Sequence, residues 1–403
     1  MRILFLSQVL PYPLDAGPKI RAYFTLKHLA RKHEIVLLSF VRQSDTPQAI
    51  AHLREHCTAV ETVPMTRSFV QEAWSGVRSL ATGEPFLIAR DRRARMLAAV
   101  EKAIAAYGPF DAVHADQLWM APYATHARRA SKNGASMRLI LDQHNAVFQI
   151  PRRMALDEPN LLKRKFLGYE SEKMARYEVE ACGQFDHVVF VTPQDRAALR
   201  LRGLPEAPET RESIIPISVE APEAPERNGA SRTRRVTFLG GLHWPPNADG
   251  VQWFIREIWP TVRGRVEDCV FTVIGKLPEG LQFPGADSSV ELLGYVDDPE
   301  PLLADTSVFV VPLRSGGGMR VKILDAWSRA IPVVSTSIGA EGLELRNGEN
   351  ILLADDKDTF ANEVVRLLSD PEVAGQAGEQ GRMTVLSHYD WRREYAAWDR
   401  VYR

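Results

Sequence analysis

The stretch at residues 312–327 reads PLRSGGGMRVKILDAW, with three consecutive glycines and two cations soon after them. The apolar run that leads into it, SVFVVPL at 307–313, predicts a buried strand, and VKILDAWSRA at 321–330 predicts a helix that begins near Arg320. Glycines at such a helix N-terminus let the backbone approach a phosphate, and the free N–H groups there favour anions. Because Arg320 and Lys322 add positive charge, we expect a diphosphate site; the alternative is a surface loop with two solvated cations.

Two common nucleotide-binding motifs are missing from the sequence. No GxxxxGK[ST] occurs, and no GxGxxG follows the first predicted strand. A phosphate site without either motif indicates a nucleotide held by another arrangement, and it disfavours a Rossmann oxidoreductase. The sequence shows no convincing DxD motif either, so we expect no metal and no cofactor.

Strand and helix patterns alternate along the chain. RILFLS at 2–7 and EIVLLSF at 34–40 are largely apolar, and KIRAYFTLKHLARKH at 19–33 has apolar residues at helical spacing. Apolar strands separated by helices indicate parallel sheets covered on both faces. The alternation stops in a stretch rich in Pro, Glu, Ala and Arg and then restarts, which predicts two doubly wound α/β domains.

The predicted organisation has four parts. We place an N-terminal Rossmann-like domain at 1–205, a linker at 206–232 and a C-terminal Rossmann-like domain at 233–375. A helical tail at 376–403 contains four aromatic residues in its second half, so we expect it to pack back on the N-terminal domain. Two such domains would face a central cleft, and ligands of doubly wound sheets bind beyond the carboxyl ends of the strands.

Composition excludes several classes of protein. The 403 residues carry a formal net charge of -1, which argues against a generic nucleic-acid binder. The three cysteines are far apart and form no CxxC, so they fit a reducing cytoplasm rather than a disulfide framework or a zinc site. We expect the N-terminal MRILFLSQVLPYP to form a first buried strand rather than a signal peptide, and no apolar run in the sequence is long enough to span a membrane.

Several segments, in chain order, resemble GT-B fold glycosyltransferases of the retaining GT4-like group. The glycine-rich loop followed by VKILDAWSRAIPVV is similar to their donor-binding core. The other similar segments are PYPLDAGPKIRAYFTLKHLARKHEIVLLS at 11–39, FDAVHAD at 110–116, VTFLGGLHWPPNADGVQWFIREIWP at 236–260 and VELLGYVDDPEPLLADTSVFVVP at 290–312. The resemblance implies a GT-B fold and transfer of a sugar from a nucleotide-diphosphate donor.

The resemblance also implies donor-binding residues in the C-terminal domain. Asp325 matches the second acid of the family's E-x7-E pattern, which binds the nucleotide ribose, whereas the first acid falls at Gly317 and is missing. GGLHWPPN lacks the Arg and Lys that many relatives place after the first strand of this domain, and Arg320 and Lys322 are expected to compensate. The remaining residues implied on the donor side are Gly240, Gly241, His243, Tyr295, Val296, Ser315, Gly316, Gly318, Met319 and Glu341.

On the acceptor side, polar residues follow predicted strands of the N-terminal domain. Gly17 lies in a loop that, in the family, closes on the donor phosphates and the acceptor. Lys19 and Arg21 follow it and either add positive charge to this loop or are solvated. Asp116 and His144 end two strands and are candidates for contact with the reacting hydroxyl groups. His114, inside its strand, is expected to be buried.

The implied reaction is metal-independent transfer of a sugar to an acceptor hydroxyl with retention, in which Asp116, His144, Arg320 and Lys322 carry the chemistry. We expect a UDP- or GDP-sugar as co-substrate, and a lipid-linked glycan, a polysaccharide or a small metabolite as acceptor in bacterial glycan biosynthesis. Two alternatives stay open, a nucleotide-sugar epimerase and a non-catalytic nucleotide-sugar-binding protein. The basic and apolar stretch at 151–178 either contacts the inner face of a membrane or forms an ordinary surface helix.

Overall fold

The computed structural model of the protein describes residues 1–222 and 234–403, and the predicted linker residues 223–232 lie outside them. The described chain divides into two compact units. Met1–Ile217 and Trp391–Arg403 form the first unit, and Ser218–Asp390 form the second. The chain therefore passes from one unit to the other after Ile217 and again after Asp390, whereas the sequence placed its boundaries after residues 205, 232 and 375.

The first unit contains a parallel sheet of seven strands in the order β3-β2-β1-β4-β5-β6-β7 among the described residues. This order, in which the chain winds outward from β1 in both directions, is that of a doubly wound sheet. The strands are β1 Arg2–Ser7, β2 Glu34–Val41, β3 Ala59–Pro64, β4 Ala112–Asp116, β5 Arg138–Gln143, β6 His187–Phe190 and β7 Glu212–Ile214. The helices are α1 Gly17–Leu29, α2 Pro47–Arg54, α3 Phe69–Thr82, α4 Phe86–Asp91, α5 Ala94–Tyr107, α6 Ala121–Ala130, α7 Gln149–Asp157, α8 Leu161–Gln184 and α9 Pro193–Arg200, with a 3-10 turn at Leu118–Met120.

Alternate residues of the central strand β1 enter two different hydrophobic cores. Leu4 and Leu6 belong to a core on one face of the sheet, and Ile3 and Phe5 belong to a core on the other. Successive side chains of a strand point to opposite faces, so a strand covered on both sides must be apolar throughout. The predicted first strand is confirmed.

Within its described residues, the second unit contains a parallel sheet of six strands in the order β10-β9-β8-β11-β12-β13. The strands are β8 Arg234–Leu239, β9 Cys269–Ile274, β10 Val290–Gly294, β11 Thr306–Val311, β12 Val333–Ser335 and β13 Leu352–Leu353. The helices are α10 Pro245–Trp253, α11 Trp259–Arg265, α12 Glu300–Ala304, α13 Val321–Ser328, α14 Lys357–Ser369 and α15 Pro371–His388, with a π-helical turn at Phe254–Ile258 and a 3-10 turn at Ile338–Ala340. Two Rossmann-like parallel-sheet units were predicted, and both are confirmed.

Several helices begin at a polar cap residue followed directly by proline. Thr46, Thr192 and Asp370 each accept a backbone N–H from the first turn of α2, α9 and α15, respectively, through the side chain. Proline at the next position needs no hydrogen-bond partner there and has the backbone angle of a helix. These pairs fix where the helices start.

Within the described residues, no helix has the length and apolar character needed to cross a membrane.

The last residues of the chain complete the core of the first unit. They form α16 Trp391–Glu394, a 3-10 turn Tyr395–Ala397 and α17 Trp398–Val401. Trp391, Tyr395 and Trp398 are almost completely buried in the same core as Ile3 and Phe5. The predicted tail at 376–403 is therefore divided between the units, because its first part lies in α15 and in the two residues after it.

Replacing Trp398 by Ala should destabilise the first unit by about 3–5 kcal/mol, because a fully buried indole leaves a large cavity. The unfolding midpoint in urea, followed by circular dichroism, measures the change. Trp74→Ala is the matched control: this indole is 69% exposed, so its loss should shift the midpoint little. Equal effects of the two substitutions would contradict the role of the tail in the core.

Candidate functional site

The glycine-rich loop joins β11 to α13 in the second unit. Gly316 and Gly318 have φ of 114° and 82°, which side-chain-bearing residues rarely adopt. Gly317 lies between them, Ser315 is partly buried and Met319 is buried. The helix begins at Val321, so the strand, loop and helix N-terminus lie as predicted.

Arg320 braces this loop. Its side chain is buried, and it donates hydrogen bonds to the carbonyl oxygen of Gly317 at 3.0 Å and to that of Ile338 at 3.1 and 3.2 Å. A Cβ atom on Gly316 would lie 3.3 Å from the guanidinium, so the glycine also leaves room for it. Arg320 thus holds the backbone conformation of the loop while placing a positive charge beside it.

Lys322 occupies a different environment. Its ammonium group donates to the side-chain oxygen of Asn247 at 3.1 Å and lies 4.2 Å from the centre of the Phe238 ring. Among the described residues, no carboxylate lies within 4.0 Å of it. Burial and the neighbouring Arg320 lower the pKa of Lys322 to about 7. A positive charge held here is poorly compensated by the protein itself.

The end of β8 reaches the same lysine. A Cβ atom on Gly240 would lie 2.5 Å from the Lys322 ammonium, so a larger residue here would displace the ammonium from its position. Asn247, in the first turn of α10, donates to the carbonyl oxygen of Gly241 at 2.8 Å and accepts from Lys322. The exposed ring of His243 lies over Gly241, whose own Cβ would be 2.4 Å away from it. Gly240 and Gly241 therefore lie beside the glycine-rich loop.

Asp325 lies one turn into α13 and forms an ion pair. Its carboxylate accepts from Arg329 at 2.5 Å, and Glu300 holds the other side of the same guanidinium at 2.7 Å. Burial alone would lower the pKa of Arg329, but Asp325 and Glu300 raise it above its ordinary value. The Asp325 side chain stays partly exposed, and its assignment to the ribose remains a prediction.

The other residues implied on the donor side lie in separate loops of the second unit. Tyr295 and Val296 follow β10, and the Tyr295 side chain is exposed. Glu341 follows the 3-10 turn after β12 and is partly buried. Their roles at a nucleobase or sugar remain predictions.

In the first unit, three polar side chains lie side by side at the carboxyl ends of adjacent strands. The parallel register pairs Ser7 of β1 with Asp116 of β4, and Asp116 with Asp142 of β5. All three are completely buried, and the Ser7 hydroxyl donates to Asp116 at 2.8 Å. Two carboxylates are thereby brought together in a poorly solvated place, where like charges repel strongly.

Two cations balance these carboxylates. Arg21 donates two hydrogen bonds to Asp142, at 2.9 and 3.0 Å, and the Nε2 of His144 lies 2.9 Å from Asp116 and 3.5 Å from Asp142. Burial would lower the pKa of His144, but the two carboxylates raise it to about 9. Burial would raise the pKa of Asp142, but Arg21 and His144 hold it well below its usual range. The predicted residues Asp116 and His144 therefore form one cluster.

The surroundings of Arg21 correct one expectation. The sequence suggested that Arg21 adds charge at a loop or is solvated, but it is completely buried, with its guanidinium about 5 Å from the rings of Tyr395 and Trp398. It also donates to the carbonyl oxygen of Pro216 at 2.8 Å. Arg21 lies on the inner face of α1, where the carboxylate of Asp142 neutralises it.

Gly17 and Lys19 lie at the start of α1. Gly17 is the first residue of the helix rather than part of the preceding loop. The ammonium group of Lys19 pairs with Asp15 at 2.9 Å and lies 4.0 Å from Asp45. Contact of Gly17 with donor or acceptor remains a prediction.

His114 is buried inside β4, as predicted. Its Nδ1 lies 2.8 Å from the Tyr402 hydroxyl, and its ring stacks on Phe5 with centroids 4.2 Å apart. Burial lowers the pKa of His114 to about 4, so it is neutral at physiological pH. It packs the core behind the cluster.

Gln117, which the sequence did not single out, follows Asp116 in a strained conformation. Its φ is 74°, an uncommon value for a residue with a side chain, and its backbone N–H donates to the Asp142 carbonyl at 3.0 Å. The side-chain nitrogen of Gln117 is buried and has no hydrogen-bond partner in the described part of the chain. Strain and an unpaired donor at a strand end are features of binding sites.

The cluster is a poor site for a divalent cation. His114, Asp116 and Asp142 each offer one ligand atom, all within 4.8 Å of one another. However, Arg21 already occupies both oxygens of Asp142, and protonated His144 contacts Asp116. The two carboxylates are balanced by two cations, so a further double charge would be repelled.

Comparison with known proteins places the second unit in a family. Residues 233–370 match the model of the family described as glycosyl transferases group 1. The lipopolysaccharide core biosynthesis glycosyltransferase LpsE of Rhizobium meliloti is 31% identical over 107 residues, which are 26% of this chain and 31% of that enzyme. A 44.6 kDa protein of the Klebsiella pneumoniae cps region is 21% identical over 98% of both chains. The crystal structure of Anabaena HepE in complex with UDP-glucose superposes with a TM-score of 0.67 at 14% identity, over 98% of this chain and 97% of HepE, which shows a common fold.

The charge of His144 should depend on Asp116 and Asp142 being ionised beside it. The folded-state pKa of about 9 lies above the ordinary value of 6.5, so its contribution to stability is complete below pH 6.5 and is lost as pH rises through about 9. The free energy of unfolding of the wild type, relative to His144→Gln, should therefore fall between pH 6.5 and 9. Urea titrations across this range measure it, and a constant difference would contradict the protonated state. His126→Gln, at a partly exposed histidine of the same unit, is the control.

Proposed function

Because the chain belongs to the group 1 glycosyltransferases and has their GT-B fold, we propose that it transfers a sugar from a nucleotide-diphosphate sugar to an acceptor hydroxyl, with retention and without a metal ion. The donor would bind at the glycine-rich loop of the second unit. Asp116 and His144 of the first unit would contact the reacting hydroxyl groups. The nucleotide sugar is a co-substrate in this proposal, and no cofactor takes part.

The observation that carries the proposal is the environment of Lys322. A lysine with no carboxylate partner among the described residues lies beside Arg320, at a helix N-terminus and next to two glycines with positive φ. A diphosphate would supply the missing negative charge, and the loop would give its oxygens backbone N–H donors. The same groups would stabilise the diphosphate as it leaves, which is the main demand of the reaction.

Two features support a reaction without a metal ion and with retention: the cations of the glycine-rich loop and the paired carboxylates of the first unit. Arg320 and Lys322 supply the positive charge that a metal ion would otherwise bring to a leaving diphosphate. At the strand ends of the first unit, Asp142 is taken up by Arg21 and Asp116 lies against His144, so neither is placed as a free nucleophile. Retention would then proceed with a diphosphate oxygen accepting the proton of the acceptor.

The donor and the acceptor are proposed from the relatives. HepE was crystallised with UDP-glucose, and LpsE acts in lipopolysaccharide core biosynthesis, so we favour a UDP- or GDP-sugar and an acceptor of a bacterial glycan pathway. We place the reaction in the cytoplasm, at the inner face of the membrane where the acceptor is lipid-linked. The glycine at 317, where relatives have an acid, would change the contact with the donor sugar.

Lys322→Met should weaken binding of the matching nucleotide sugar about 10–100-fold, because a charge-assisted contact to the diphosphate is lost. Calorimetry with UDP-, GDP-, ADP- and dTDP-sugars measures the affinity, and the anomeric configuration of the product by NMR tests retention. Lys357→Met, at an exposed lysine of the same unit, is the matched control. Unchanged affinity in Lys322→Met, or an inverted product, would contradict the respective part of the proposal.

Donor binding should also weaken as pH rises above 7. The pKa of Lys322 is about 7 before binding, and a bound diphosphate would raise it, so binding takes up a proton above pH 7. The dissociation constant should rise by up to about tenfold per pH unit until the pKa of the bound state is reached. Titrations in buffers of different ionisation enthalpy detect this proton uptake. A dissociation constant that does not change with pH in the wild type would contradict this prediction. The Lys322→Met variant is expected to show such a pH-independent dissociation constant.

A further inference from the structure

Helix α3 buries polar residues and exposes its apolar residues to solvent. It buries Ser75 and Ser79 and exposes Trp74 by 69% and Leu80 by 73%. Val70 and Val77 are exposed as well, and their spacing from Trp74 places the three residues on one stripe of the helix. A surface helix of a globular protein normally buries this stripe, so the sequence of α3 suits an apolar partner outside the unit.

The hairpin of α7 and α8 exposes a second set of apolar side chains. Leu161, Leu162 and Phe166 are exposed at the start of α8, by 60%, 80% and 53%. Met154 and Leu156 of α7 are exposed too. Large apolar residues gathered in this way mark an interaction site, whereas single ones are ordinary.

Helices α3 and α8 meet within the first unit. The Lys173 ammonium of α8 donates to the hydroxyl of Ser79 at 2.6 Å and to its carbonyl oxygen at 3.2 Å, directly before Leu80. One turn earlier on α8, the partly exposed ring of Tyr169 lies 5.3 Å from the same ammonium. We call this region the α3–α8 surface, and it comprises Val70, Trp74, Val77, Leu80, Met154, Leu156, Leu161, Leu162, Phe166 and Tyr169.

Positive charge is interleaved with these apolar residues. Residues 149–169 contain five basic and two acidic side chains, in a chain whose net charge is -1. Lys163, Arg164 and Lys165 lie in the same turns as Leu162 and Phe166. Arg164 and Lys165 have no carboxylate partner within the part of the chain that the structure describes.

We propose that the α3–α8 surface docks on an anionic lipid bilayer. Aromatic and aliphatic side chains would enter the boundary between headgroups and acyl chains, while the cations contact lipid phosphates. This proposal deepens, and rests on, the membrane location within the proposed function, and it assigns that contact to particular residues. A lipid-borne acceptor would then meet the unit that carries Asp116 and His144.

The mixture of charge and apolar side chains favours lipid over protein. In a symmetric dimer through this surface the same patch would meet itself, so its excess of cations would repel. The cores of protein interfaces are depleted in charged residues, in particular lysine, whereas here lysines and an arginine lie among the leucines. At a bilayer surface both kinds of side chain find partners at the same depth.

The test is co-sedimentation of the full chain with vesicles of phosphatidylcholine alone or mixed with phosphatidylglycerol. Two double variants remove apolar groups, Trp74→Ser with Leu80→Ser and Leu162→Ser with Phe166→Ser; a third, Arg164→Gln with Lys165→Gln, removes charge. The matched controls are Leu201→Ser, at a leucine 88% exposed at the end of α9, and Arg54→Gln with Lys102→Gln. Circular dichroism and nucleotide-sugar binding, measured in parallel, report on folding and on the donor site separately.

The wild type and the controls should bind the mixed vesicles, and added salt should weaken this binding. Each apolar double variant should weaken it at least tenfold, and the charge variant roughly 30-fold, since one cation near an anionic surface contributes about fivefold. Equal binding to both kinds of vesicle, no binding, or unchanged binding in the variants would overturn the proposal. A dimer of the wild type that the variants dissolve would also overturn it, in favour of a self-interface. Loss of vesicle binding with intact nucleotide-sugar binding separates this result from failure of the proposed donor site.

Discussion

The register of the first sheet sets the constraint on which this unit depends. Because the parallel register of β1, β4 and β5 sets Ser7, Asp116 and Asp142 side by side, the two carboxylates lie next to each other and are completely buried. The unit is stable only if cations reach both carboxylates, and they arrive from distant parts of the chain: Arg21 from α1 and His144 from the loop after β5. A buried pair of this kind adds little net stability, yet removal of one partner typically costs about 3–5 kcal/mol. The pair therefore depends on how α1 packs against the last residues of the chain, since the rings of Tyr395 and Trp398 lie about 5 Å from the Arg21 guanidinium.

Much of the fold and part of the candidate site could be predicted from the sequence. Apolar strands alternating with helices indicate parallel sheets, and Asp116 and His144 were proposed because they end strands in segments that resemble the family. Arg21 was misjudged because its partner Asp142 lies 121 residues away, and helical spacing cannot tell a charged residue on the inner face from a solvated one. Gln117 gave no signal, since a positive φ in a residue other than glycine is set by tertiary contacts.

The glycine-rich loop shows a second limit of prediction. The sequence presents Arg320 and Lys322 as two equivalent cations, two positions apart. In the structure their roles differ. Arg320 donates its hydrogen bonds to backbone carbonyl groups, whereas the Lys322 side chain extends toward Gly240 and Asn247. A planar guanidinium with five donors suits bracing of a backbone, whereas a compact ammonium with a movable pKa suits an exchangeable ligand. Asn247 could be found only with the fold in hand, since it lies 75 residues from Lys322.

The assignment of Trp391–Arg403 to the first unit has a consequence for synthesis of the protein. A ribosome makes Met1–Ile217 first but supplies Trp391 and Trp398 only after the whole of Ser218–Asp390. At about 5–20 residues per second, the nascent first unit waits on the order of ten seconds or more with part of its core uncovered. The second unit is continuous in the chain and suffers no such delay. The first unit is therefore synthesised first but completed last. A chaperone that shields apolar surface has most to protect in this unit, which emerges first.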